Sequence, residues 1–197
     1  MVVLHYTAMT SAAAALCTLS TPQTEVSSHY LIDEAGTTTQ LVDEHMRAWH
    51  AGQGSWRGLE DINSRSIGIE LANDGATPFS AAQMDATEEL LRGIHARWQI
   101  APEGVIAHSD MAPRRKIDPG PRFDWRRLAR SGVSVWPEMA DAEPDGFAQA
   151  ARSFGYPDVP LDTLLSAFRL RFRPWADGPL DAVDAGLATN LAVRFGN

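Results

Sequence analysis

Ser66-Ile67-Gly68-Ile69-Glu70-Leu71 is a short run rich in isoleucine, interrupted near its end by one carboxylate. Its length and β-branched content predict a strand. Two other runs share the pattern. Val2-Val3-Leu4-His5 and Val105-Ile106-Ala107-His108 are apolar until they end in an imidazole. Strands apolar on both faces belong to a sheet covered by helices, and ligand sites in such sheets lie at the carboxyl ends of the strands. Alone, each of His5, Glu70 and His108 has an ordinary explanation as a structural histidine or a solvated strand end. Polar residues at three such ends say more than any one of them.

The segments between these runs alternate in type. Ala12 to Leu19 predicts a helix, with Cys17 as a small buried residue. Val26 to Ile32 and Thr37 to Val42 predict a hairpin turning at Gly36. Trp49 to Ser64 contains Gly52, Gly54 and Gly58 and reads as a long loop, a feature that is usually functional inside a domain. Ser80 and Gln83 have capping-box spacing. After them Thr87, Leu90, Leu91, Ile94 and Trp98 recur at helical intervals as one buried face. Phe123 to Ala129 reads as a short closing helix. The expected fold is α/β: a mixed central sheet flanked by helices over residues 1–137. Residues 138–146 are acidic, carry Pro144 and Gly146, and read as a linker. Residues 147–197 read as a small helical module, with helices from about Leu161 through Phe172 and from Asp181 through Leu191. A piece of about 50 residues is at the lower limit for an independent core, so it is expected to lean on the first part.

Composition narrows the function classes. The chain has 197 residues, 44% apolar and 21% charged, as in a soluble globular protein. Its net charge of -8 argues against a nucleic-acid groove, and Arg114-Arg115-Lys116 is the only dense basic cluster. A single cysteine cannot form an internal disulfide. No segment is long and apolar enough to span a bilayer, and no export signal precedes the first strand. As written the chain is expected in the cytoplasm, and a trimmed native N-terminus would make it periplasmic or lipid-anchored.

The loop after His108 carries the chemistry further. It ends Lys116-Ile117-Asp118-Pro119-Gly120-Pro121. A residue before proline is biased to an extended backbone, and in an extended stretch Lys116 and Asp118 project to the same side. Two imidazoles and a carboxylate make a sensible open zinc site, with the fourth position left for water. Zinc lowers the pKa of that water to about 7 and polarises a carbonyl. Glu70 is the right type of residue to move the water proton, and Lys116 is a candidate to stabilise an oxyanion. Nothing in the periodicity brings His5 and His108 together.

Five segments carry a family resemblance: Val3-Leu4-His5-Tyr6-Thr7-Ala8, Val26-Ser27-Ser28-His29-Tyr30-Leu31, Ala48-Trp49-His50-Ala51-Gly52, Ser66 to Leu71, and Ala107-His108 through Asp118-Pro119-Gly120-Pro121. In this order they resemble the zinc N-acetylmuramoyl-L-alanine amidases of the AmpD/AmiD type, relatives of amidase-type phage lysozymes and peptidoglycan recognition proteins. The resemblance implies hydrolysis of the amide between N-acetylmuramic acid and L-alanine in muropeptides, 1,6-anhydro forms included. It implies Zn2+ on His5, His108 and Asp118, Glu70 as acid/base, Lys116 on the oxyanion side, and Trp49 and His50 beside the substrate cleft. The alternative is a peptidoglycan-binding protein without catalysis, but such relatives typically lack a zinc ligand. Ser28 stands where phage relatives have a tyrosine, which shifts weight onto Glu70. His29, His45 and His95 match no ligand position. Gly155-Tyr156, Phe168, Phe172 and Asp177-Gly178 followed by Asp181 resemble a degenerate three-helix peptidoglycan-binding module. Three-helix packing alone would give the same phenylalanine spacing.

Overall fold

In the computed structural model, which describes residues 1–196, five strands form one sheet: β1 (Val2–Tyr6), β2 (Tyr30–Ile32), β3 (Thr38–Gln40), β4 (Ile67–Leu71) and β5 (Val105–Ala107). Their order is β3-β2-β4-β1-β5. All neighbours run parallel except β3, which pairs antiparallel with β2 at the edge. The expected mixed α/β sheet is therefore present. Helices α1 (Ala12–Leu19), α2 (Ala81–Trp98), α3 (His108–Met111) and α4 (Trp125–Arg130) alternate with the strands or follow them, and α5 (Phe147–Phe154), α6 (Leu161–Phe172) and α7 (Ala182–Phe195) come last.

Alternation along the strands divides the core into two layers. Val2, Leu4, Ile67, Ile69 and Leu71 pack with Met84, Leu91 and Ile94 of α2 and with Trp125 and Leu128 of α4. Val3 and Ile106 belong to the opposite layer, with Trp56, Met111, Phe147, Phe154, Phe168 and Phe172. The C-terminal helices thus cover the second face of the sheet. Phe147, Phe154, Phe168 and Phe172 of these helices are fully buried, and each such side chain contributes about 1.5–3 kcal/mol of apolar burial.

A buried polar cluster ties that layer to the loop after β5. Asp110, fully buried in α3, accepts from Arg171 of α6 at 2.6 Å and from the Tyr156 hydroxyl at 2.6 Å. The same carboxylate accepts from the backbone N–H of Ala107 at 2.9 Å. Arg171 also donates to the Val105 carbonyl at 3.0 Å, and its guanidinium lies over the Trp125 ring. Two residues from the C-terminal layer therefore set the turn that begins with His108.

Several local expectations need correction. Cys17 is exposed, because α1 buries only Ala15 and turns its other small residues outward. The second strand begins at Tyr30 rather than Val26, since the His29 N–H and the Ser28 hydroxyl both go to the Gly68 carbonyl before regular pairing starts. Strand β3 is likewise shorter than Thr37 to Val42. Ser80 caps α2 by accepting from Gln83 N–H at 3.0 Å. Gln83 does not return the bond: its buried amide bridges the Ile32 and Ala72 carbonyls instead. Trp98 is partly exposed and donates to Glu44, so the buried face of α2 stops at Ile94.

Arg171→Met leaves the Asp110 carboxylate buried without its cation, a loss expected to cost about 3–5 kcal/mol. Urea unfolding of the purified variant measures it. A midpoint equal to that of the parent would show that the pair does not hold the C-terminal layer in place.

Candidate metal centre and catalytic cleft

The order β4-β1-β5 sets three strand ends side by side. His5 and Glu70 are register partners on β1 and β4. Leu4 pairs with Ala107, so His108, the first residue of α3, lies next to His5. Asp118 is delivered by the loop that returns after α3. Its carbonyl accepts from Ser109 N–H at 3.0 Å, closing that loop across its base.

The three side chains converge. His5 Nδ1 and His108 Nδ1 are 2.8 Å apart, and each is 3.0 Å from the same oxygen, Asp118 Oδ2. All three residues are buried. The Ala51 carbonyl can only accept, so His108 Nε2, at 2.9 Å from it, carries that ring's proton and Nδ1 keeps a lone pair. Burial, and then the neighbouring His108, pushes the His5 imidazole down to about 4. Neutral imidazoles and an ionised carboxylate are the protonation states a metal ion requires. His5, His108 and Asp118 form the group able to hold a metal ion among the described residues. Imidazole and carboxylate donors with a position left open fit catalytic zinc.

These residues line a cavity of about 510 Å3 together with Glu70, Lys116 and Trp49. Glu70 Oε2 is out of contact with solvent and has no hydrogen-bond partner. Burial first, and the Asp118 charge second, push this carboxyl up to about 8, with Lys116 opposing. At the rim, Trp49 is 56% and Ile117 60% exposed, offering apolar surface to a ligand. His50 borders the cavity but lies behind His5, with its Nδ1 3.0 Å from His5 Nε2. Ser28 is buried, its hydroxyl donating to the Gly68 carbonyl at 2.8 Å. His29 accepts from the Gly68 N–H and contacts the Met46 carbonyl, and His95 lies between the carbonyls of Ile100 and Val133. His45 stacks near Trp98.

The model of the family described as N-acetylmuramoyl-L-alanine amidase matches residues 1–121. The chain belongs to this amidase family. It is 37% identical to the N-acetylmuramoyl-L-alanine amidase AmiD of Escherichia coli K12, over 98% of this chain and 82% of that protein. Its fold superposes on the structure of E. coli AmiD in complex with anhydro-N-acetylmuramic acid-L-Ala-D-gamma-Glu-L-Lys with a TM-score of 0.90, at 35% identity, covering 100% of this chain and 89% of that one. AmpDH3 from Pseudomonas aeruginosa, in complex with anhydromuramic pentapeptide, gives a TM-score of 0.88 at 32% identity, covering 100% and 92%. The likeness to both structures extends through the C-terminal helices.

Two supporting residues escaped the sequence reading. Asn63 Oδ1 accepts from the N–H groups of His50 and Ala51, at 3.0 and 2.8 Å, and so shapes the Trp49 loop. Asp110 anchors the turn of His108. Asp110 is two residues from a strand-end histidine, which hints at a local role, but nothing in sequence pairs it with Arg171.

Replacing Glu70 by glutamine separates its roles. The amide keeps the shape and cannot accept a proton, so turnover should fall about a hundredfold or more while metal content is unchanged. Stability supplies an independent check. A carboxyl at 4.5 when unfolded and about 8 when folded stabilises the metal-free protein below 4.5 and loses that contribution as pH rises to about 8. Thermal unfolding in chelator at pH 5 and pH 8 should therefore show a smaller loss for Glu70→Gln than for the parent. Activity within a few-fold of the parent would remove Glu70 as the proton carrier.

Proposed function

We propose that this amidase hydrolyses the bond between the lactyl group of N-acetylmuramic acid and L-alanine in soluble muropeptides, 1,6-anhydro forms included, using zinc held by His5, His108 and Asp118. The observation that carries the reading is the meeting of two imidazole Nδ1 atoms and one carboxylate oxygen beside the unpartnered Glu70 Oε2. Zinc at these donors supplies Lewis acidity toward the scissile carbonyl and lowers the pKa of water to about 7.

The remaining work belongs to the chain. Glu70 takes the proton of the attacking water and returns it to the leaving nitrogen of alanine. Its raised pKa suits both halves of that transfer. Lys116 faces the oxygen that gains negative charge. Trp49 and Ile117 at the rim take apolar faces of the substrate, with the Arg47 guanidinium stacked on the Trp49 ring at 4.3 Å. A binding-only protein needs neither a complete ligand set nor an unpartnered carboxylate oxygen in the same cavity, so catalysis is the better account. The comparison proteins hold anhydromuramic peptides, which supports the same substrate class here.

We assign residues 1–137 to catalysis, 138–146 to the connection, and the helices after 146 to supporting the catalytic part. Among the described residues no helix is long and apolar enough to cross a membrane. A cytoplasmic setting would supply small soluble fragments, and a net charge of -8 does not favour approach to anionic wall polymers.

Metal analysis of protein purified without chelator should find about one zinc per chain, and His5→Ala or Asp118→Ala should remove both metal and activity. An active preparation without divalent metal would overturn the mechanism. Soluble anhydro-muropeptides should be cleaved faster than intact sacculi under matched conditions. Efficient sacculus digestion, lost when the C-terminal helices are altered on their outer surface, would make those helices a wall anchor.

A further inference from the structure

The imidazole of His50 is almost entirely enclosed, 9% exposed, and little of it is available to substrate. Its surroundings are specific. Ser66 Oγ donates to the Ile62 carbonyl at 2.6 Å, which leaves the hydroxyl oxygen as an acceptor toward His50 Nε2 at 3.3 Å. His50 then carries its proton on Nε2 and presents a lone pair at Nδ1. His5 Nε2, 3.0 Å away, must be the donor in that contact. The proton of His5 is thereby fixed on Nε2, and its Nδ1 lone pair points at Asp118 and His108.

The next residue performs the same service for the other imidazole. The Ala51 carbonyl receives the His108 Nε2 proton at 2.9 Å and is held by Arg115 at 2.7 Å. Strand β4 makes room for the arrangement. Ser66, Gly68 and Glu70 alternate onto one face. A Cβ at Gly68 would come within 2.4 Å of the His50 ring.

We infer that His50 is a positioning residue: with Ser66 as its acceptor and Gly68 as its berth, it fixes the tautomer of His5 and so tunes metal affinity, instead of contacting substrate. This rests on the reading of His5, His108 and Asp118 as zinc ligands. Outer partners of metal-bound histidines typically change metal affinity by about 10–100-fold when removed.

The test is zinc affinity by chelator competition on the full chain. His50→Ala should weaken binding by about 10–100-fold. His50→Asn restores an acceptor near the position of Nδ1 and should recover most of the loss. Ser66→Ala, which removes one hydroxyl, should weaken binding by about tenfold, the low end of that range. Long-range proton–nitrogen correlation spectra of the zinc-loaded parent should show His5 and His50 both protonated at Nε2. Unchanged affinity in His50→Ala with a raised KM would overturn the inference and make His50 a substrate contact. Should that variant fail to fold, unchanged affinity in Ser66→Ala or a proton on Nδ1 of either ring overturns it equally. A parent that binds no zinc would instead strike the proposed function itself.

Discussion

Two imidazole lone pairs and a carboxylate oxygen, all within 3.0 Å of one another, repel unless a cation lies among them. The chain holds them together all the same. Adjacent parallel strands bring His5 and His108 to one level, and the loop after α3 folds back to add Asp118. Hydrogen bonds on the far side of each imidazole then keep the lone pairs facing inward. The free energy that enforces this crowding comes from the apolar layers on both faces of the sheet, and a bound cation would relieve it. A preassembled site of this kind spends little on ordering when the ion arrives.

The enforcement is distributed. From below, residues 50 and 51 set the two rings, Asn63 sets the loop that bears them, and Arg115 clamps its carbonyls. From the side, Arg171 and Tyr156 hold Asp110, and Asp110 holds the first turn of α3. The C-terminal helices therefore contribute to the site without entering it. They supply half of the apolar cover and the buried cation behind His108.

Much of the site could be read in the residues themselves. The strand ends at His5, Glu70 and His108 stood out because a carboxylate or imidazole closes an otherwise apolar run, and their meeting follows from the parallel order of β4, β1 and β5. That order is a long-range property which periodicity does not encode. Short-range patterns misled where packing intervened. Cys17 and Trp98 carry the apolar spacing of buried residues, yet α1 is too short to have a broad inner face and α2 outruns the sheet it covers. The roles of Asn63 and Ser66 carry no local signal, and the place of Asp110 beside His108 hints at a role without revealing its distant partners Arg171 and Tyr156.

Strand β4 shows how tightly register and chemistry are joined. Gly68 and Glu70, in line with Ser66 just before the strand, face one side, and Ile67, Ile69 and Leu71 face the other. A slip of one residue against β1 would exchange the two sets. Isoleucine side chains would then be forced into the space the His50 ring occupies, and the Glu70 carboxyl would enter the hydrocarbon layer beneath α2, where nothing could solvate it. The misaligned sheet is thus penalised from both faces at once. The carboxylate proposed to carry the proton also proofreads the pairing of the strand that bears it, so one side chain serves both the site and the folding of the sheet.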